Sequence, residues 1–142
     1  MVKCDWLILC DHTFREDLGK VCLIGVFDQI AVAKVPTTLR RMALAFRFSG
    51  SPGEEVKSSI RMVLPRGGFW FGEVYGNIRD TGTLDFNCNV IEFELPEFGA
   101  YSCCIYLGDE VVKSAEFSVV PLGGLSQRQE SPEHSNRQDQ EP

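Results

Sequence analysis

Long apolar runs are missing from this 142-residue sequence. No stretch approaches the roughly 20 apolar residues that a membrane-spanning helix needs. The apolar run near the N-terminus covers only residues 6–10 and has Asp5 and Asp11 on its two sides, so it does not resemble a secretory signal. We therefore expect a cytoplasmic protein with no membrane partner.

Positive charge is also scarce. The sequence has 14 lysines and arginines and 20 acidic residues, which gives a net charge of −6. Residues 122–142 hold two arginines and four acidic residues, so the rest of the chain has a net charge of −4. An acidic protein does not attract phosphate backbones or anionic lipid, so we expect no nucleic-acid partner.

Motifs for metals, cofactors and catalysis are absent too. Structural zinc usually takes Cys-x₂₋₄-Cys pairs, and none occurs here, while the neighbours Cys103 and Cys104 point to opposite faces of a strand. His134 lies near the C-terminus, so a Cys–His nucleophile would depend on His12 alone. The glycine turns are not followed by a helix that would hold a phosphate. We expect no metal, no cofactor and no catalytic residue, and six reduced cysteines.

What the sequence does contain is a series of β-favouring runs separated by Gly, Pro, Asp and Ser. The clearest places Met42, Leu44, Phe46 and Phe48 on one face of a strand. The predicted strands cover residues 4–11, 20–30, 39–48, 56–64 and 84–95, with a polar loop over residues 12–18, and a terminal hairpin over residues 101–107 and 115–119 turns at Gly108-Asp109-Glu110. Residues 69–78 fit either a strand or an aromatic loop. No segment has the pattern of a helix.

Two further features define the predicted domain. After Val90 the apolar phase switches to Ile91, Phe93 and Leu95, as a β-bulge or a strand that changes sheets would produce. From residue 122 the composition becomes polar, which favours disorder. We predict one all-β sandwich over residues 1–121 and a disordered C-terminal tail over residues 122–142.

Three segments resemble a family of small bacterial proteins of unknown function. They are the opening CDWLILCD of residues 4–11, the GKVCLIGVFDQI of residues 19–30 and the PEFGAY of residues 96–101. The resemblance implies an immunoglobulin-like antiparallel β-sandwich and supplies no catalytic residue. Tyr101, two residues before Cys103, has the spacing of a structural tyrosine corner. By the same analogy Cys22 would face Cys103 across the two sheets, with both thiols reduced.

Some predicted strands carry apolar side chains on both faces, although a two-layer sandwich buries only one face of each sheet. The first run places Leu7 and Leu9 opposite Trp6 and Ile8, and aromatic residues cluster again at residues 69–75. We interpret the chain as a non-enzymatic protein-binding or assembly module whose partner is a second copy, in a homodimer, or another protein. The candidate interaction residues are Leu7, Leu9, Phe69, Trp70, Phe71 and Tyr75.

Two alternatives remain open. One is a sandwich that binds a small molecule or carbohydrate through the aromatic segment, residues 69–75. The other is an enzyme built on Asp5, Asp11 and Asp28, which would meet at one end of adjacent strands. A polar cluster converging in a deep pocket would favour these alternatives over a protein-binding surface.

Overall fold

The computed structural model describes residues 1–123, and nine strands account for most of them. The strands are β1 (Lys3–Arg15), β2 (Val21–Val26), β3 (Gln29–Val32), β4 (Thr37–Ser49), β5 (Glu55–Val63), β6 (Phe69–Asn77), β7 (Thr83–Leu95), β8 (Gly99–Leu107) and β9 (Glu110–Pro121). Residues 1–121 contain no helix, which confirms the all-β class. Across residues 1–123 no helix is long and apolar enough to span a bilayer. Most of the predicted tail, residues 124–142, lies outside the described residues.

The strands form two packed sheets. One has the order β2-β1-β4-β7, and the other has the order β3-β9-β8-β5-β6. All neighbours run antiparallel except β3, which runs parallel to β9. Each sheet buries one face against the other, so the period-two alternation of β4 and β5 places their larger apolar side chains in a shared core. The largest fully buried side chains include Tyr101, Phe46, Phe48, Phe117, Met42 and Leu44.

The N-terminal strand is longer than the sequence predicts. The expected loop over residues 12–18 is wrong, because β1 continues to Arg15 and pairs with β2 from Cys10 to Arg15. Up to Cys10 the same strand pairs with β4. It then leaves β4 and returns over the outer face of the sheet, where the Asn89 side chain bonds to the backbone of Thr13 through contacts of 3.4 and 3.2 Å. We call residues 11–26 the arm.

The arm accounts for two alanines that are buried on the outer face of β4. Ala43 and Ala45 alternate with the core residues, yet neither is exposed to solvent. The arm starts beside β4 and reaches Asn89 on β7, so it crosses β4 above these two residues. Small side chains leave room for a second layer at this position. The surplus apolar face of the N-terminal strand is therefore covered within the same chain.

The predicted strand over residues 20–30 is divided in two. Its first part, β2, belongs to the arm, and its second part, β3, belongs to the other sheet. Gly25, at a φ of +71°, lies at the end of the first part, where only glycine adopts the backbone easily. Phe27 then packs edge-on against Phe117 in the core, with ring centroids 5.8 Å apart. The run therefore serves both sheets.

Three other predictions concern the strands from β6 to β9. Residues 69–77 form a strand, β6, rather than a loop. The phase switch in β7 is present, since Phe93 and Leu95 are buried. The prediction that Ile91 shares their buried face is wrong, because this side chain is 72% exposed. Glu92, at a φ of +57°, lies at the switch. The β8–β9 hairpin is confirmed, with a two-residue turn whose first residue, Gly108, has a φ of +62°.

Candidate functional site

Tyr101 lies at the edge of the core and is almost fully buried. Its hydroxyl donates a hydrogen bond of 2.7 Å to the backbone oxygen of Glu97, four residues upstream. This is the geometry of a tyrosine corner. Burial raises the pKa of the phenol above its ordinary value. The residue is structural, because a buried ring needs one partner for its hydroxyl and Glu97 supplies it.

The cysteines are all free, and the structure does not bring the expected pair together. Cys103 is fully buried in the core, but Cys22 lies on the arm, in the edge strand β2 opposite Phe14, and is partly exposed. The predicted Cys22–Cys103 approach is therefore wrong, because β2 is not a core strand. Burial raises the pKa of the Cys103 thiol to about 12. This thiol is a small core residue rather than a nucleophile.

The three aspartates of the enzyme alternative do not converge. Asp5 accepts a hydrogen bond of 2.8 Å from Ser49 at one end of β1, and Asp11 lies beside Gly25 near the bend of that strand. They are six positions apart along β1, which is about 20 Å of extended strand. Asp28 follows β2, and its backbone oxygen accepts a bond from Ser118 of the other sheet. Within residues 1–123, no three His, Cys, Asp or Glu side chains are grouped to hold a metal ion.

Three of the six candidate interaction residues, Leu7, Leu9 and Trp70, pack in the core. Leu9 is only 3% exposed, and the partly buried Leu7 packs against the same core cluster. The assignment of Leu7, Leu9 and Trp70 to a free surface is therefore corrected, because the inner faces of β1 and β6 carry them into the core. The predicted alternation is present, but the face with Trp6 and Ile8 is the outer one, and the arm covers part of it.

The aromatic segment forms the edge of the five-stranded sheet. Strand β6 pairs with β5 alone among the described strands. Its alternation directs Trp70 toward the core and leaves Phe69, Phe71 and Tyr75 exposed by 57%, 48% and 60%. We call these last three residues the aromatic edge. Three aromatic rings thus stand on one outer face of a strand with a free side.

Cations from the neighbouring strand lie over these rings. The Arg61 guanidinium is 4.6 Å from the centroid of the Phe69 ring and 5.3 Å from that of Tyr106. Lys57 lies 5.8 Å from the Tyr75 ring. Such contacts orient the rings and add modest stability at an exposed site. The Arg61 Nε atom is buried and has no hydrogen-bond partner in residues 1–123.

A second feature, which the sequence did not indicate, lies between the arm and the four-stranded sheet. A cavity of about 460 Å³ is bounded there by the tip of the arm and by side chains of β1, β4 and β7. Arg47 and Asp85 form its floor, with hydrogen bonds of 2.6 and 3.0 Å. Arg79 lies 3.6 Å from the same carboxylate. These residues are far apart in sequence, so no local motif marks them.

The architecture defines an immunoglobulin-like β-sandwich protein. Two packed sheets with a tyrosine corner before the last hairpin are typical of that class. The family model described as a family of unknown function (DUF6941) matches residues 5–120, and the chain belongs to this family. No curated protein matches the sequence.

Solved structures with a similar fold have distant sequences. The chain resembles part of a Pseudomonas fluorescens alkylpurine DNA glycosylase, AlkC, bound to DNA containing an abasic-site analogue, with 12% identity and a TM-score of 0.55. The match covers 84% of this chain but only 30% of the glycosylase, so it shows the fold alone. The chain is also similar to an immunoglobulin-like protein from Pseudomonas aeruginosa, with 16% identity and a TM-score of 0.44. This match covers 84% of the present chain and 96% of the other.

Proposed function

We propose that this protein is a non-enzymatic binding module that takes up an extended segment of another protein along β6. The observation that supports the proposal is the aromatic edge, which joins three exposed rings to a strand with a free side. A partner strand added to a sheet edge gains main-chain hydrogen bonds, and its alternate side chains contact the exposed face. The core of the sandwich supplies the rigid support.

The composition of β6 supports this use of its edge. Exposed edge strands usually carry lysine, proline or a bulge, which discourage pairing with other chains. Strand β6 is nine residues long, has neither lysine nor proline, and pairs with β5 without a register shift. Aromatic residues are enriched at the centres of protein interfaces. An unprotected edge beside exposed aromatic residues therefore favours a binding role.

The occupant that fits best is a foreign segment rather than a second copy. Glu73 is the middle residue of β6 and lies on the exposed face between Phe71 and Tyr75. A two-fold pairing centred on the strand would place Glu73 of each copy opposite the other, and facing like charges destabilise a sheet. We propose a partner segment that alternates apolar residues and carries a basic or neutral residue opposite Glu73.

DNA is not the partner that we propose. The glycosylase is bound to DNA, but a likeness at 12% identity carries only the fold. Residues 1–123 contain 12 basic and 16 acidic residues, so their overall charge repels a phosphate backbone. The exposed face of β6 also carries a carboxylate, that of Glu73.

Site-specific photocrosslinking tests the proposal. A photoreactive phenylalanine at position 71 is expected to capture a discrete partner in cells that make the protein. The same residue at Ile24, which is exposed on β2 of the other sheet, is the matched control and is expected not to capture it. Purified partner is then expected to bind the wild-type chain and to lose at least about tenfold in affinity for Phe71→Glu, because a charge replaces a buried ring at the interface.

Three outcomes contradict the proposal. The first is equal capture from positions 71 and 24. The second is unchanged affinity of Phe71→Glu when its thermal unfolding matches that of the wild type. The third is a stable dimer of the purified chain by light scattering that Phe71→Glu converts to monomer, since this would make a second copy the occupant.

A further inference from the structure

Positively charged side chains line the cavity beneath the arm, although the protein as a whole is acidic. Lys20, Arg47, Arg79 and Asp85 are the charged residues that line it, so three cations face one carboxylate. Asp85 is already occupied by Arg47 through two hydrogen bonds, and its side chain is only 8% exposed. The open part of the cavity therefore has a charge excess of about two cations, although the described chain as a whole is negative.

Two of these cations have free hydrogen-bond donors. The Lys20 ammonium has no hydrogen-bond or ion-pair partner in residues 1–123. The Arg79 guanidinium contacts Thr83 and Asp85 through Nε and one terminal nitrogen, which leaves the other terminal nitrogen without a partner among the described residues. Half of the Arg79 side chain is exposed. Free ammonium and guanidinium donors in the lining of one cavity suit an oxyanion.

The rest of the lining is apolar. Trp6 lies on the floor beside Arg47, whose guanidinium is 5.6 Å from the ring centroid. Val21 and Leu23 of the arm form the opposite wall. A planar or apolar part of a ligand would contact these side chains. An anionic group on the same ligand would then reach Lys20 and Arg79. An apolar pocket with a few placed polar groups is the usual form of a small-molecule site.

We propose that this cavity binds a small organic phosphate monoester. The phosphate lies between Lys20 and Arg79, and the organic part lies against Trp6 and Leu23. A phosphate monoester carries close to two negative charges at neutral pH, which matches the excess charge. A carboxylate carries only one. This site is separate from the aromatic edge and is independent of the function proposed for it.

The two tryptophans make the test selective. The chain has only Trp6 and Trp70, and Trp70 lies on the other sheet. We would titrate the full ¹⁵N-labelled chain with phenyl phosphate and with adenosine 5′-monophosphate and follow both indole N–H signals by NMR. Saturable shifts are expected for Trp6 and not for Trp70. Phenol, adenosine and inorganic phosphate are the matched probes, and each is expected to bind at least about tenfold more weakly because it lacks one half of the ligand.

Charge-removing variants locate the phosphate. Lys20→Gln is expected to weaken phenyl phosphate binding about tenfold, since it removes a charge-assisted hydrogen bond. It disturbs no packed or paired group, so it is expected to stay folded. Arg79→Gln is expected to act in the same direction. Lys57→Gln, on the other sheet, is the control and is expected to leave binding unchanged.

Three results overturn this inference. One is the absence of any selective Trp6 shift with both esters at millimolar concentrations. Another is unchanged binding in Lys20→Gln while its spectrum remains that of the folded chain. The third is equal affinity for inorganic phosphate and for the esters, which would show that the apolar wall binds nothing.

Discussion

Arg47 and Asp85 lie directly opposite each other on β4 and β7, and the guanidinium holds the carboxylate by hydrogen bonds of 2.6 and 3.0 Å. Arg15 of the arm donates a bond of 2.7 Å to the backbone oxygen of Asp85. Arg79, from the turn before β7, approaches the carboxylate as well. One acidic residue thus links the sheet, the arm and a turn, and it is the electrostatic centre of the cavity.

Asp85 is expected to make stability depend on pH. The hydrogen bonds from Arg47, with the charges of Arg79 and Arg15, hold the pKa of Asp85 below its ordinary value. Its ionised form therefore stabilises the fold above the unfolded pKa of about 3.9, and this contribution is lost as the pH falls through the lower folded pKa. Urea unfolding at pH 7 and at successively lower pH is expected to show this loss.

The variant Asp85→Asn isolates the effect. At pH 7 it is expected to lower the free energy of unfolding by about 1 to 3 kcal/mol, because Arg47 loses its charged partner at a partly exposed site. Its further loss on acidification is expected to be smaller than that of the wild type. Glu116→Gln, at an exposed position without an ion pair to any residue of the described chain, is the control. Parallel pH curves for wild type and Asp85→Asn would contradict the assignment.

Most of the fold was predictable because the alternation of side chains is a local signal. The runs at β4, β5 and β8 show it directly, since each has one face in the core. The tyrosine corner is local too, because Tyr101 bonds only four residues away. The resemblance in three segments indicated the family.

The arm and the cavity could not be predicted for a physical reason. The pattern of β1 shows two apolar faces, but it does not say what covers the second face, and here the strand itself turns back over it. The pattern therefore assigns Leu7 and Leu9 to a surface, although they pack in the core. Arg47 and Asp85 meet only through the register of β4 with β7, so the basic cavity has no sequence signature. The negative net charge of the chain also gives no indication that positive side chains gather around this cavity.

The tyrosine corner is expected to contribute measurably to stability. Tyr101→Phe keeps the buried ring but leaves the Glu97 carbonyl without the hydroxyl donor, at an expected cost of about 1 to 2 kcal/mol. Tyr106→Phe is the matched control, since the Tyr106 hydroxyl makes no hydrogen bond in the described part of the chain. Urea unfolding of the two variants measures the difference. Equal costs would show that the hydroxyl of Tyr101 adds nothing.

The thiols are expected to react in an order set by burial. Because burial raises the pKa of Cys103 to about 12, its thiolate is almost absent at neutral pH. Partly exposed Cys22 and Cys104 are expected to be alkylated first, and Cys103 last. Timed alkylation of the native chain, read by peptide mass spectrometry, gives the order. Alkylation in urea is the control and is expected to proceed at similar rates at all six sites. Native labelling of Cys103 as fast as Cys22 would refute the prediction.

The arm depends on a close contact between Gly25 and Asp11. Gly25 has a φ of +71°, and a Cβ added there would lie 2.3 Å from Oδ2 of Asp11 and 2.8 Å from its Cγ. Gly19, in the turn of the same arm, has a φ of +90° but nothing within 4 Å of the added carbon. The two glycines therefore share the backbone strain and differ in the steric clash.

Substitution of both glycines separates these two costs. Gly19→Ala is expected to lower the free energy of unfolding by about 1 to 2 kcal/mol, the cost of a left-handed backbone with a side chain. Gly25→Ala is expected to cost measurably more, because the exposed Asp11 side chain must move away from the added carbon. In an Asp11→Ala background the clash is gone, so the cost of Gly25→Ala is expected to fall to that of Gly19→Ala. If Gly25→Ala costs the same with and without the Asp11 side chain, that side chain does not pack against Gly25, and the arm is held only by its contacts with β7.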